Sequence, residues 1–269
     1  MYEFEAIGTR WWCEILDSDG SFPDALKRII QNECAKFDQA YSRFRDDSLV
    51  MKLYQTGELL HPPKELTDML DFAKEMYEIT DGAFDITVGN TLHHLGYGKR
   101  KFGNKLPKDF WNILHYSPDS VTMPRGVMLD FGGFGKGWLI DRIAEIIRTY
   151  GIAQFIVNGG GDLYVESDTI REIALEDPYR PGIRYGSTSI QRGSLAASST
   201  QLRQWEHEGA HYHHIVDPGT RLPTEGVTGT FVKASSAVLA DAIATALIVN
   251  PSLESRLKQH YPLEVIIVK

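Results

Sequence analysis

An acidic residue, a glycine-rich turn and a single lysine follow one another in residues 129–137, LDFGGFGKG. Glycines allow a backbone to approach a ligand closely, and the helix predicted after the turn begins with unpaired N–H groups. Together with the charge of Lys136, these features favour a ligand that carries phosphate. Taken alone, such a turn is equally compatible with a plain connection between a strand and a helix.

A second segment, ADAIAT (240–245), places Asp241 and Thr245 four residues apart and therefore on one face of a predicted helix. Hard cations take oxygen ligands, so this carboxylate and this hydroxyl predict half of a Mg²⁺ site. The alternative is a solvated aspartate beside a threonine that bonds back to its own helix. A phosphate-binding turn and a hard-metal site together indicate phosphoryl or nucleotide chemistry.

The composition is that of an ordinary globular protein. The chain has 269 residues, 42% hydrophobic and 24% charged, with a net charge of −8. This acidic balance argues against a nucleic-acid or membrane-surface binder. Cys13 and Cys34 stand in no metal-binding spacing and are expected to be reduced thiols. No apolar run approaches the length of about 18 residues that a membrane span needs, and no signal peptide or lipoprotein motif is recognisable, so we expect a cytoplasmic protein without a membrane segment.

Hydrophobic periodicity predicts helices and strands in no strict alternation. The predicted helices are 24–37, 64–79, 136–150 and 234–249, and the predicted strands are 4–16, 153–157, 170–175 and 263–268. Residues 98–126 are expected to be rich in loops. This mixture predicts an α+β fold, and the lack of linker-like stretches predicts a single compact domain over residues 1–269.

Eight motifs in this order resemble the ApbE family. They are AIGTRW (6–11), SRFRDDS (42–48), TDGAFDITVG (80–89), LDFGGFGKG (129–137), VNGGGDLYV (157–165), LAASST (195–200), HHIVDPGTRLP (213–223) and ASSAVLADAIATAL (234–247). The resemblance implies a Mg²⁺-dependent flavin transferase, which moves FMN from its substrate FAD onto a Thr or Ser of an acceptor flavoprotein and releases AMP. It also implies the family fold, α+β with a central mixed sheet related to the T-fold.

The same resemblance implies roles for individual residues. The residues expected to bind FAD are Ile7, Phe44, Ala83, Phe84, Asp85, Asp130, Lys136 and Ile215. The expected metal ligands are the side chains of Asp241 and Thr245 and the backbone carbonyls of Gly133 and Ala244. The acceptor hydroxyl needs a base, for which we favour His214 over Asp162 because imidazole titrates near neutral pH.

One motif departs from the family pattern. Residues 197–200 read Ala-Ser-Ser-Thr, where the family usually has Ala-Thr-Ser-Gly, so Thr200 adds a side chain at a position of close approach. Two alternative functions therefore stay open beside the transferase. The first is a FAD pyrophosphatase that splits FAD into FMN and AMP, and the second is a FAD-binding protein without catalysis.

Overall fold

The computed structural model describes residues 1–16, 21–98, 103, 107 and 109–269. The helices are α1 (Asp24–Tyr41), α2 (Leu49–Thr56), α3 (Lys64–Ile79), α4 (Gly89–His94), α5 (Phe110–Ile113), α6 (Gly135–Thr149), α7 (Ala237–Val249) and α8 (Glu254–His260). The strands are β1 (Tyr2–Ala6), β2 (Thr9–Ile15), β3 (Glu58–Leu60), β4 (His115–Tyr116), β5 (Ser120–Thr122), β6 (Phe155–Gly159), β7 (Asp162–Glu176), β8 (Arg184–Ser199), β9 (Gln204–His207), β10 (Ala210–His213), β11 (Val216–Asp217), β12 (Leu222–Pro223), β13 (Gly229–Ala234) and β14 (Glu264–Val268).

The chain divides into two compact units. The first contains Met1–Asp38, Gly132–Leu202 and Glu225–Lys269, and the second contains Gln39–Phe131 and Arg203–Thr224. The second unit is thus made of two segments, one between β2 and β6 and one between β8 and β13. A single domain over residues 1–269 stays a prediction.

The first unit is built on one seven-stranded sheet in the order β1-β2-β6-β7-β8-β13-β14. The predicted α+β fold is confirmed, but each pairing in this sheet is antiparallel, whereas a mixed sheet was expected. Tight hairpins join β1 to β2 and β6 to β7, and such turns can join only antiparallel strands. Alternating apolar side chains bury one core of this unit, namely Ile156, Leu163, Val165, Leu175, Ile190, Leu195, Phe231 and Val268.

The predicted helices agree with α1, α3, α6 and α7 to within a few residues. The predicted strand 4–16 is wrong as a single element, because Ile7 and Gly8 form a two-residue turn that splits it into β1 and β2. Cys13 and Cys34 are buried free thiols, as predicted. Of the predicted loop 98–126, residues 99–102, 104–106 and 108 lie outside the described residues, while α5, β4 and β5 fall in its remainder.

Helices α6 and α7 pack against each other at very short range in the first unit. A Cβ atom on Gly137 of α6 would lie 2.2 Å from the carbonyl oxygen of Ala237 in α7. Asp141 of α6 accepts hydrogen bonds from the N–H groups of Ala237 and Val238 at 2.8 and 2.9 Å. It therefore caps α7 from outside, since the N-cap residue Ser236 makes no side-chain capping bond.

The second unit carries α2 to α5 and three small sheets. Strand β5 lies between β3 and β4, β9 pairs with β10, and β11 pairs with β12. A small apolar cluster of Leu92, Leu95 and Val216 packs against Trp205 and Tyr212. In the described part of the chain, no helix is long and apolar enough to cross a membrane.

Candidate functional site

Three charged side chains from separate elements of the first unit meet in one buried centre. The Nζ atom of Lys136, on α6, lies 2.9 Å from Oδ2 of Asp162 and 3.0 Å from Oδ1 of Asp241. Asp162 opens β7, and Asp241 lies inside α7. Both carboxylates are 1% exposed and Lys136 is 21% exposed, so the cation is the member that solvent reaches.

The NGGGD segment is the hairpin turn that places Asp162. Gly160 and Gly161 have φ angles of 67° and 102°, which L side chains rarely adopt, and Gly159 pairs with Asp162 across the hairpin. A Cβ atom on Gly159 would lie 2.6 Å from the ring of Trp11. The carboxylate is then held by the N–H of Ala197, which donates to its Oδ1 at 2.9 Å.

The centre has two carboxylates and one ammonium group. Burial raises the pKa of Asp241, although Lys136 and the N–H of Gly137, which donates at 3.0 Å, act in the opposite direction. Burial alone would lower the pKa of Lys136, yet the two carboxylates raise it above its ordinary value. Lys136 is therefore charged, and the centre still lacks positive charge, which a proton or a metal ion would provide.

The oxygens around Asp241 suit a hard cation. The hydroxyl oxygen of Thr245 lies 3.4 Å from the carbonyl oxygen of Gly133 and 3.4 Å from the hydroxyl oxygen of Ser198. These separations are longer than ordinary O–H···O bonds of about 2.7–2.8 Å and are compatible with oxygens arranged around one ion. The Ala244 carbonyl already accepts a bond from Thr230 at 2.8 Å. One carboxylate, one hydroxyl and two backbone carbonyls are hard oxygen donors that fit Mg²⁺, and the described residues hold no group of three His, Cys, Asp or Glu side chains for a metal ion.

In the second unit, Phe44 and Asp130 are linked by a residue that the sequence analysis did not single out. The guanidinium carbon of Arg43 lies 4.2 Å from the centroid of the Phe44 ring, and its Nε lies 2.8 Å from Oδ2 of Asp130. Phe44 is 56% exposed, whereas Arg43 is 4% exposed. The only sequence signal was the position of Arg43 within SRFRDDS.

Three further predicted FAD residues of the second unit, Ala83, Phe84 and Asp85, lie in the loop after α3. Asp85 accepts the N–H of Thr87 at 2.9 Å and so caps the 3₁₀ helix Ile86–Val88, while burial raises its pKa. Ala83 is half-buried, and Phe84 is buried in the protein, so Phe44 is the predicted aromatic contact whose ring is exposed.

Ile7 is half-buried in the first unit, with a φ angle of 41°, in the turn between β1 and β2. A β-branched residue is a steric outlier in this left-handed region, where Asn or Gly is normally found. Such strain is found at functional sites more often than elsewhere, which supports the prediction that this side chain has a role beyond folding.

His213 and His214 are adjacent in the HHIVDPGTRLP motif, and His213 makes hydrogen bonds through both ring nitrogens. The ring of His213 donates from Nε2 to the carbonyl of Thr224 at 3.0 Å and accepts the N–H of Ile215 at Nδ1, 3.3 Å away. Both nitrogens are thus engaged, and burial lowers the pKa of His213. His214 is half-buried and Ile215 is buried.

In the first unit the structure therefore brings Lys136, Asp162 and Asp241 together, and it places Thr245, one helical turn after Asp241 on α7, beside Gly133. It adds Gly137 and Ser198, which sequence reasoning missed. An antiparallel α+β fold with a lysine, two buried carboxylates and hydroxyl oxygens fits an enzyme that acts on a phosphate-bearing substrate with a hard cation.

The ApbE family model matches residues 7–267, and the chain belongs to this family. The FAD:protein FMN transferase of Escherichia coli K12 is 24% identical over 273 residues, which cover 93% of this chain and 78% of that protein. The FAD:protein FMN transferase of Haemophilus influenzae is 26% identical, covering 91% and 79%. That of Rhodobacter capsulatus is 33% identical over 209 residues, covering 72% and 40%.

Two solved structures show the same fold. The ApbE protein of Thermotoga maritima aligns with a TM-score of 0.85 at 23% identity, covering 99% of this chain and 93% of that one. The flavin transferase ApbE of Vibrio cholerae aligns with a TM-score of 0.82 at 21% identity, covering 99% and 92%. The predicted family and its fold are confirmed.

Proposed function

We propose that this chain is a FAD:protein FMN transferase, which moves FMN from FAD to a Thr or Ser hydroxyl of an acceptor flavoprotein and releases AMP. The observation that carries the proposal is the buried centre of Lys136, Asp162 and Asp241, with Thr245 beside it, in a chain of the ApbE family. Its relatives from Escherichia coli and Haemophilus influenzae carry this name.

Asp241, the hydroxyl of Thr245 and the carbonyls of Gly133 and Ala244 would hold Mg²⁺. When bound, this ion lowers the charge of the pyrophosphate and stabilises the AMP leaving group. Lys136 reaches solvent from the same centre and is placed to bind the pyrophosphate. Positioning and charge neutralisation then contribute most of the acceleration.

The proposed reaction is a nucleophilic displacement at the FMN phosphorus. The acceptor hydroxyl oxygen forms a bond to this phosphorus, the bond between phosphorus and the bridging oxygen breaks, and AMP leaves with that oxygen. The hydroxyl proton passes to a base. His214 is the better candidate, because Asp162 already binds Lys136 and the N–H of Ala197 and would have to give up a partner.

The residues that would contact FAD are those implied by the family pattern, namely Ile7, Phe44, Ala83, Phe84, Asp85, Asp130, Lys136 and Ile215. A cytoplasmic location and the absence of a nucleic-acid partner remain predictions, the latter supported by the net charge of −8.

The test is to incubate the purified protein with FAD and Mg²⁺, with and without a flavoprotein domain that carries an acceptor Thr. Mass spectrometry of the products should show an FMN-sized addition to the acceptor together with AMP. An acceptor whose target Thr is changed to Val should stay unmodified. Asp241→Ala should abolish transfer, while Asp68→Ala, which removes an exposed carboxylate paired with Lys64, should not change it.

Other outcomes would overturn the proposal in favour of a named alternative. Free FMN and AMP beside unmodified acceptors from several flavoproteins would identify a FAD pyrophosphatase. Tightly bound, intact FAD without AMP would identify a binding protein and would point to Ser198–Thr200 as the cause. An active Asp241→Ala protein would remove the metal centre from the mechanism.

A further inference from the structure

Arg43 is a buried cation with an unusually complete set of partners in the second unit. Besides Nε on Asp130 at 2.8 Å, its NH1 group donates to Nε2 of His93 at 2.7 Å. NH1 also lies 3.4 Å from the carbonyl oxygen of Tyr97. Because a guanidinium group only donates, His93 must accept at Nε2, which makes His93 neutral with its proton on Nδ1.

The same guanidinium group also lies over two aromatic rings. The guanidinium carbon is 4.2 Å from the centroid of Phe44 and 5.0 Å from that of Tyr97. The two rings themselves meet edge to face, with centroids 5.9 Å apart. The group therefore combines hydrogen bonds to several partners with contacts to two rings, a combination that suits a guanidinium group better than an ammonium group.

These contacts join two segments that are far apart in sequence. Phe44 precedes α2, and Asp130 lies just before the glycine turn. Phe44 is 56% exposed, so its own packing does little to hold the ring, whereas Asp130 is 11% exposed and needs a partner for its charge. Arg43 supplies a support for the first and a counter-charge for the second.

We propose that Arg43 is a positioning residue for FAD, which holds the Phe44 ring and the Asp130 carboxylate in one orientation that receives a flat ring of the ligand. The inference rests on the proposed function, since it takes Phe44 and Asp130 as FAD contacts. Arg43 touches the ligand only through these two residues. It sets the affinity for FAD and takes no part at the reacting phosphorus.

The experiment measures FAD affinity by fluorescence quenching and FMN transfer by mass spectrometry for Arg43→Lys and Arg43→Gln. Arg43→Lys keeps the positive charge but loses the guanidinium group, which bonds to several partners at once. This variant should raise the Kd and KM for FAD at least tenfold and leave kcat within twofold of wild type. Arg43→Gln should weaken binding further. The matched controls are Arg45→Lys and Arg45→Gln, because Arg45 lies two residues along the chain in an exposed pair with Asp47 at 3.0 Å. Neither control should change the Kd.

A double-mutant cycle tests whether Arg43 acts through Asp130. Arg43→Gln combined with Asp130→Asn should bind FAD no more weakly than the weaker single variant. A folded Arg43→Lys protein with a Kd within twofold of wild type would overturn the inference, as would a loss of kcat at unchanged Kd. If Arg43→Gln does not fold, the Kd of Arg43→Lys for FAD alone decides whether the inference holds. A wild-type protein that binds no FAD would instead overturn the proposed function, and the inference with it.

Discussion

The contact between α6 and α7 offers the sharpest test of how the fold positions the charged centre. A Cβ atom on Gly137 would lie 2.2 Å from the oxygen and 2.5 Å from the carbon of the Ala237 carbonyl, and 2.7 Å from Cα of Val238. All three are backbone atoms of α7, so no side chain can rotate away. Gly137→Ala must therefore shift one helix relative to the other by about 1 Å to reach normal contact distances.

This shift has a cost in stability that can be estimated. Overpacking of a close contact costs about 1–3 kcal/mol, and the better helix propensity of alanine offsets about 1 kcal/mol. The free energy of unfolding should thus fall by about 0–2 kcal/mol, which lowers Tm by at most roughly 8 °C for a protein of this size. The folded structure should survive this loss.

The effect on activity should be larger than the effect on stability. The N–H of Gly137 donates to Asp241 at 3.0 Å, and α7 carries Thr245 as well, so the shift separates atoms that must act together. A displacement of about 1 Å in a catalytic group costs on the order of 10²-fold in rate. We therefore expect kcat/KM for FMN transfer to fall about 10²-fold, measured beside Tm and far-UV circular dichroism.

The control is Gly186→Ala in β8, where the new Cβ meets no atom within 4 Å and φ is not positive. It should match wild type in activity. A Gly137→Ala protein that keeps kcat/KM within threefold of wild type would refute the reasoning, because the close contact would then not determine the position of Asp241.

Further predictions concern single side chains. Ile7→Asn should raise the free energy of unfolding by about 1 kcal/mol in urea titrations, because Asn tolerates φ 41°, and should weaken FAD binding if Ile7 is a contact. Lys136→Met should destabilise the metal-free protein by about 3 kcal/mol, and millimolar Mg²⁺ should restore part of its Tm. Thr245→Val should keep Tm within a few degrees while raising the Mg²⁺ concentration for half-maximal activity about tenfold. Burial raises the pKa of Asp141 to about 6, whereas the unfolded chain releases this proton nearer pH 4. Between about pH 4 and pH 6 the folded protein therefore keeps a proton that the unfolded chain has lost, and the free energy of unfolding falls as the pH rises. The stability of wild type relative to Asp141→Asn should therefore fall by about 1–3 kcal/mol between pH 4 and pH 7, and a parallel pH dependence of the two proteins would contradict this.

The four longest described helices, α1, α3, α6 and α7, were predictable because their apolar residues recur over several turns, whereas the shorter α2, α4, α5 and α8 were not predicted. Helix α3 spans Lys64–Ile79, as the pattern after Pro62 and Pro63 predicts. The sheet was less predictable, since periodicity identifies strands but not their partners. The turn at Ile7 was missed because an isoleucine is a poor signal for a left-handed turn, although Gly8 beside it is a good one.

The candidate site, like the fold, was predictable from the sequence only in part. Lys136 was singled out by the glycine-rich turn before it, and Asp241 and Thr245 were singled out by their spacing of four residues on a predicted helix. Asp162 was predicted as a possible base, and its place beside Lys136 could not be foreseen, since the two are brought together only by the hairpin turn of β6 and β7. Arg43 carried no separate signal, because an arginine in a loop is ordinarily solvated and only burial makes it a partner of Asp130.

The unequal exposure within the charged centre suggests how Lys136 can act on two partners in turn. The side chains of Asp162 and Asp241 are 1% exposed, whereas that of Lys136 is 21% exposed, so Lys136 is the member of the centre whose side chain borders on solvent. In the structure this group is engaged by both carboxylates, which compete with any phosphate. A cation held by Asp241 would neutralise this carboxylate in place of Lys136, and the ammonium group would then be available for a pyrophosphate. We therefore expect Mg²⁺ to tighten FAD binding in the wild type and to do so far less in Lys136→Met. Equal Mg²⁺ effects on the FAD Kd of the two proteins would show that Lys136 does not exchange partners.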